Sequence, residues 1–456
     1  MNVLKFGGTS VGTVESLTNV KNIVEKLPAD TIVVVSALGG LTDKLISTAN
    51  LAAQHGDWKT EMEAIARRHF DIIDSLVSDD KKDVTIAKIN ELLDVLSRNY
   101  EAVSLLGDLP QKTLDVIVSC GERMSAPIVA GIVDGAKLHN SLDFIKTEKW
   151  FDKNIADVAL TRDLIINEFA GAVAGPHITG GFISQDRDSG EITNLGRGGS
   201  DYTAALIAAA LDADMLDIWT DVDGFMTADP RIIKDAIVLP RMSFIESMEL
   251  CSFGAKVIYP PTIYPVFHKN IPIRILNTFN PSAPGTLISD HSDCDEYPVK
   301  GVTAVRNTCL VRMTGNLTEN VAQINTRAYN ALARNGISVF LLAQPGENHE
   351  FSFAISAADK NQANKTLNDE FAPELIDGKL DAISMLDGMS TVAIVGEGLR
   401  QIKGLKGRIL NTLMRCGVKT LAASEGSYDT TSSFVVEEKD TIAAIAAIHG
   451  LFFSEK

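Results

Sequence analysis

NVLKFGGTS, residues 2–10, decides the architecture. A mostly apolar pentapeptide runs directly into two glycines, a Thr and a Ser, and residues 13–26 then show helical periodicity. A buried strand that ends in a tight turn and opens a helix is the first half of an α/β unit. Glycines at such a turn let backbone approach an anion closely, and the turn and helix start aim N–H groups at it. Outward from here, TIVVVSAL (31–38) is a β-branched run suited to a central parallel strand. Residues 41–115, including KLISTANLAAQ and KINELLDVLSRNY, switch to helical spacing and are expected to form a largely helical insertion. From 114 to 290 apolar runs alternate with helical patterns: LDVIVS, a helix around 122–134, VAGPHITGGFI, a helix at 200–211, MLDIWTDV, a helix at 245–251, then IPIRIL. The alternation predicts an α/β sandwich with a mostly parallel sheet over 1–290.

Composition narrows the partners. The 456 residues carry 59 acidic against 42 basic side chains, a formal charge of −17, which opposes a nucleic acid. Anionic small substrates would then need Lys, Arg and N–H groups concentrated locally against the global field. No run of 18 apolar residues predicts a membrane span, and MNVLKFGGTS has no secretory pattern. Cys120, Cys251, Cys294, Cys309 and Cys416 are scattered without a CxxC pair, so neither disulfides nor zinc are expected, and a cytoplasmic setting fits.

PSAPGT (281–286) and the polar HSDCDEYP (291–298) mark a domain boundary. Beyond it the chain repeats itself. ALARNGIS (331–338) aligns with TLMRCGVK (412–419), placing Gly417 81 residues after Gly336, and Ser352-Phe353 aligns with Ser433-Phe434 at the same offset. Each copy reads as strand, helix, strand, strand, helix, a small ferredoxin-like unit, with divisions expected at 300–388 and 389–456.

Several residues could carry chemistry. Lys5 can place a point charge on a transferring phosphoryl group. GxxxxGK[ST] is absent, so this is not a P-loop. Gly8-Thr9-Ser10-Val11-Gly12 also fits the GxSxG elbow of serine hydrolases, but no earlier strand supplies an oxyanion donor. GRGGSD (196–201) places glycines and Arg197 before a helix; Ser200 or Asp201 could simply cap it, or the segment could form a second anion cradle, with Asp201 orienting a lysine or holding Mg2+. TDVDGFMTADPR (220–231) reads as a loop at a strand's carboxyl end, where Arg231 is either a phosphate contact or a solvated surface residue. Lys256 in FGAKV could reach a phosphate. Glu122 in SCGERMSAP (119–127) reads as opening a helix after a strand, meeting its dipole or binding a substrate ammonium.

Together KFGGTS (5–10), SCGERMS (119–125), GGFI (180–183), NLGRGGSDYTAA (194–205), WTDVDGF (219–225), TADPR (227–231), SFGAKVIYPPTI (252–263) and PGTLI (284–288) resemble the aspartate kinases of the amino-acid kinase superfamily, and the C-terminal repeat resembles their paired ACT domains. The resemblance implies a three-layer amino-acid-kinase sandwich with two ACT domains, and transfer of the ATP γ-phosphate to L-aspartate with Mg2+. By position it implies catalytic roles for Lys5, Asp201 and Lys256. ATP contacts would come from Lys5, Gly7, Gly8, Ser10, Thr220, Asp221, Arg231, Lys256 and Val257, and from Met226 where relatives often carry an aromatic hydroxyl. Aspartate contacts would come from Thr42 (hydroxyl), Glu122 (to the ammonium), Arg197 (to a carboxylate), Gly199 and Ser200. It further implies a homodimer or larger homo-oligomer through the ACT domains and inhibition by a regulatory amino acid, with Asn320, Ile337 and Gln344 as candidate contacts. The strand ISVFLLAQ (337–344) carries a Gln amide and no carboxylate, which favours threonine over lysine, although Glu347 and Glu350 lie nearby. The chain stops at Lys456 with no GxGxxG unit, so no attached homoserine dehydrogenase activity is expected.

Overall fold

The computed structural model describes residues 1–28, 30–150, 153–171, 175–292, 294, 296–315, 321–343, 350–426 and 430–453. Its contacts divide the chain into two units: Met1–Phe225 with Val257–His291, and Met226–Lys256 with Ser292–Lys456.

In the first unit the strand Asn2–Phe6 lies between Ile32–Val35 and Met215–Thr220, parallel to both. His177–Gly180 and Lys137–His139 extend the sheet in parallel on one side, and Ile273–Asn277 on the other. Thr286–Ser289 adds an antiparallel strand, so the PSAPGT turn leads into the sheet and the unit ends after His291. Strand alternation sorts the side chains. Leu4 and Phe6 share a core with Val33 and Val35, and with Leu45, Ile73, Leu96, Tyr100, Ile117 and Ile128 of the helices. Lys5 therefore faces the other side, where the helix Gly199–Ala210 packs.

The helical segment is a covering layer of this sheet: Leu41–Ala53, Trp58–Leu76, Asp79–Leu106 and Gln111–Ile132 all contribute to the same core. The expected strand LDVIVS is not one. It lies inside Gln111–Ile132, because Ile117, Cys120, Met124 and Ile128 are buried at helical spacing. Packing of that stripe outweighs the β preference of Val and Ile. Glu122 consequently sits mid-helix, and the helix-dipole reading of it fails.

The second unit holds a six-stranded antiparallel sheet in the order Val339–Ala343, Glu350–Ser356, Gly301–Gly315, Leu380–Val395, Thr431–Glu437, Ala422–Glu425. The repeat survives in its register. Phe353 opposes Val311 as Phe434 opposes Val392, and Ala343 opposes Ser352 as Ser424 opposes Ser433. Gly336 and Gly417 end their helices at φ 69° and 75°. In each case the following residue's N–H reaches back to the helix, Ile337 to Leu332 and Val418 to Leu413, both at 3.0 Å. The two halves are interleaved, because both central strands are long: Val302–Val305 pairs with Thr391–Ile394, and Leu310–Thr314 with Ala382–Leu386. A cut at 388/389 falls inside Leu380–Val395.

Residues 226–256 belong with this sheet by specific bonds. Thr227 Oγ1 meets His449 Nε2 at 2.9 Å, the Glu397 N–H donates to Glu246 at 2.8 Å, and Thr431 donates to Glu249 at 3.0 Å.

Candidate active site

A cleft of about 370 Å³ in the first unit is lined by Lys5, Gly8, Thr42, Glu122, Arg197 and Asp201, together with the turns that carry them. It lies at the carboxyl ends of the parallel strands, where α/β ligands bind. Lys5 Nζ forms an ion pair with Asp201 Oδ1 at 2.7 Å, with both side chains 12% exposed. The pair fixes the ammonium in the wall of the cleft.

Asp201 does not cap its helix. The cap is Gly198, at φ 70° with no side-chain acceptor, and Gly199–Asp201 form the first turn. A Cβ on Gly198 would stand 2.5 Å from Tyr259 Cβ, so glycine is required both by conformation and by space. The helix Leu41–Ala53 begins the same way, after Gly40 at φ 76° and again with no side-chain cap. Both helix starts thus leave first-turn N–H groups for a ligand. The helix after KFGGTS differs from the expectation: Val14–Val24 is closed by a capping box between Thr13 and Ser16. The second open cradle is Gly40–Thr42, and the KFGG turn contributes backbone alone. Gly7 N–H is used by Trp219 O at 3.1 Å, while a Cβ on Gly8 would meet Ala37 O at 3.1 Å.

Ser10 is fully buried, and its hydroxyl is engaged with Thr278 Oγ1 at 2.7 Å, so it is not presented as a hydrolase nucleophile. Thr42, half-buried, and the exposed Arg197 both line the cleft, and Arg197 has no ion pair among the described residues. Glu122 is 4% exposed, and its Oε2 has no hydrogen-bond partner. Burial pushes its carboxyl up to about 8, opposed only in part by backbone N–H groups such as that of Ala37. A buried acceptor left unpaired in a substrate cleft calls for a cationic group to complete it.

The remaining expected positions are less gathered. Gly199 and Ser200 line the cleft with Arg197. Thr220 and Asp221 leave the strand beside the KFGG turn, with the Thr220 hydroxyl donating to Asp221 at 3.3 Å, but neither is part of the lining. Val257 opens the second stretch of the first unit. Met226, Arg231 and Lys256 fall in the other unit. Met226 bridges to Val238, and Arg231 is exposed and held by Asp229 at 2.6 Å. Ile337 is a buried core residue, 5% exposed, whereas Asn320 and Gln344 lie outside the described residues. Sequence reasoning missed Arg68, which binds the carbonyls of Gly12 and Gly39 at 2.9 Å each. It also missed Phe182 in the cleft wall, a non-glycine residue at φ 66°. Their only signals were the extra glycine in SALGGLTD and the GGF triplet.

A family model described as "Amino acid kinase family" matches residues 1–277, and one described as "ACT domain" matches residues 392–452. The chain is 31% identical to the bifunctional aspartokinase/homoserine dehydrogenase of Haemophilus influenzae, over 100% of this chain and 57% of that protein. It is 27% identical to the chloroplastic aspartokinase 1 of Arabidopsis thaliana, over 99% of this chain and 80% of that one. The chain thus spans little more than half the length of its bifunctional relative. Escherichia coli aspartokinase III, crystallised with aspartate and ADP, superposes with a TM-score of 0.84 at 27% identity, covering 99% of this chain and 100% of that one. The same enzyme with lysine and aspartate gives 0.73. With more than half its length matched from the first residue onward, the chain belongs to the amino acid kinase family.

Proposed function

We propose that the chain is an aspartate kinase, converting ATP and L-aspartate to ADP and 4-phospho-L-aspartate, the first step toward lysine, threonine and methionine. One observation carries the reading: an enclosed Lys5–Asp201 pair, an unpaired Arg197 and an orphaned Glu122 carboxylate share one cleft with two open helix starts. That set suits an amino acid with a second carboxylate beside a phosphate chain. Similarity to an enzyme crystallised with aspartate and ADP supports it.

A free aspartate side chain, with a pKa of about 3.9, is already ionised near pH 7, so no general base is required. A carboxylate oxygen attacks Pγ, the bond from Pγ to the β–γ bridging oxygen breaks, and ADP leaves with that electron pair. The chain's task is to hold two anions together and neutralise charge between them. Lys5, oriented by Asp201, supplies charge at the transferring group. Arg197 takes a substrate carboxylate, Glu122 takes the ammonium and Thr42 adds a hydroxyl. Mg2+, when bound, would supply further neutralisation of the phosphate charge. Asp201 is spent on Lys5, and the exposed Asp43 in the lining is the cleft carboxylate open to the ion.

Feedback control is assigned to the second unit, with assembly of two or more copies through its sheet. Threonine is placed before lysine because Gln344, not a carboxylate, ends ISVFLLAQ. Inhibition by lysine alone overturns that order. The reaction is tested with ATP, Mg2+ and L-aspartate, L-glutamate, uridylate or carbamate, following ADP release with every acceptor and trapping acyl phosphate with hydroxylamine for the two amino acids. ADP release and hydroxamate with L-aspartate alone support the reading, and their absence refutes it.

A further inference from the structure

Arg68 stands outside the cleft lining yet touches both turns that shape it. One nitrogen, Nη2, donates to Gly12 O and to Gly39 O, each at 2.9 Å. Gly12 closes the turn that begins at Gly7 and Gly8, and Gly39 precedes Gly40, the cap of the open helix Leu41–Ala53. These turns already meet backbone to backbone. A Cβ on Gly39 would lie 2.9 Å from Gly8 O, and one on Gly12 would lie 3.1 Å from the same oxygen. Close approach of bare backbone brings carbonyl dipoles together with no side chain between them. A guanidinium shared by two carbonyls offsets that repulsion and fixes their separation. Arg68 is half-buried and has no carboxylate partner among the described residues, and burial lowers its pKa. Its place on Trp58–Leu76, a helix anchored in the core by Ile65, Ile72 and Ile73, makes it a rigid post.

We propose that Arg68 is a positioning residue for phosphoryl transfer, a clamp that sets the distance between the Lys5 turn and the Gly39–Thr42 turn of the cleft. The inference rests on the kinase reading above. Lys5 serves the donor and Thr42 the acceptor, so loosening the clamp misaligns the two substrates while leaving each one's own contacts in place. Displacement of reacting groups by about 1 Å costs on the order of 100-fold in rate.

The experiment measures kcat, both KM values and Tm for wild type, Arg68→Met, Arg68→Lys and Asp74→Asn. Asp74 lies on the same helix and pairs at 3.4 Å with Lys82 of Asp79–Leu106, not with either turn, so Asp74→Asn controls for loss of a helix contact alone. Arg68→Met should lose roughly 100-fold in kcat with KM for ATP and L-aspartate within about threefold. Arg68→Lys, able to reach one carbonyl well, should recover part of it, and added guanidinium should rescue Arg68→Met in part. Asp74→Asn should hold wild-type kcat. Wild-type kcat in Arg68→Met, or in Arg68→Lys if the former does not fold, overturns the clamp. So does an equal kcat loss in Asp74→Asn. An inactive wild type instead refutes the kinase reading, and the two failures are thereby separable.

Discussion

Both units are built from pairs, and the pairs differ in kind. In the second unit two halves match at an offset of 81 residues, down to the pairing of Phe353 with Val311 and Phe434 with Val392. In the first unit the two open helix starts share only a left-handed glycine cap, at Gly40 and Gly198. Around them the chemistry is unequal: Lys5–Asp201 and Arg197 on one side, Thr42 and Asp43 on the other, with Glu122 at the base. Duplication builds a symmetric frame in which a residue and its counterpart do the same job. A site for two different anions needs unequal walls, each residue having its own task. Equivalent substitutions should therefore act alike in the second unit and differently in the first.

Lys5→Ala breaks the unequal pair most severely. It removes the charge on the transferring phosphate and leaves Asp201 buried without its partner, so kcat should fall by at least about 10³-fold in the hydroxylamine assay. Ser10→Ala, which touches only Thr278 and the Trp219 carbonyl, should stay within about tenfold.

Glu122→Gln should raise KM for L-aspartate by roughly 100-fold, through loss of a buried charge for the ammonium. Its pH dependence has a defined sign. The folded pKa of about 8 lies above the ordinary 4.5, so the empty cleft favours the protonated acid. The stability this confers is present below pH 4.5 and is lost as pH rises through about 8. Glu122→Gln should accordingly gain Tm over wild type progressively across that window. In wild type the ammonium requires the ionised form, so KM for L-aspartate should rise as pH falls below about 8.

The glycines give the smallest effects and the sharpest contrast. Gly39→Ala puts a Cβ 2.9 Å from Gly8 O and should cost activity out of proportion to stability. Gly336→Ala and Gly417→Ala meet nothing within 4 Å, and only the left-handed conformation opposes them. Each should cost about 1 kcal/mol in denaturant unfolding, the two values agreeing closely.

Much of this was legible in the sequence because local pattern and tertiary packing agree. NVLKF, TIVVV and MLDIWT are apolar or β-branched and sit mid-sheet. The glycine-marked helix ends of the repeat fixed its offset. The failures share a cause. LDVIVS has strand-like composition but a helical burial stripe, visible only once its packing partners are known. That residues 226–256 pack with the second unit was not visible locally, because Thr227, Glu246 and Glu249 bond to residues more than 150 positions away. Thr13 and Ser16 closed the helix start that the glycines of KFGGTS suggested was open. Arg68 was overlooked because it acts on carbonyls, and the extra glycine in SALGGLTD is the only mark they leave in the sequence.

The most direct test of the unequal cleft compares L-aspartate with succinate, the same dicarboxylate without its ammonium, as phosphoryl acceptors for wild type and Glu122→Gln. The account predicts that wild type prefers L-aspartate by roughly 100-fold or more in kcat/KM and that Glu122→Gln erases most of that preference. Equal discrimination by both proteins, or none by wild type, would contradict it.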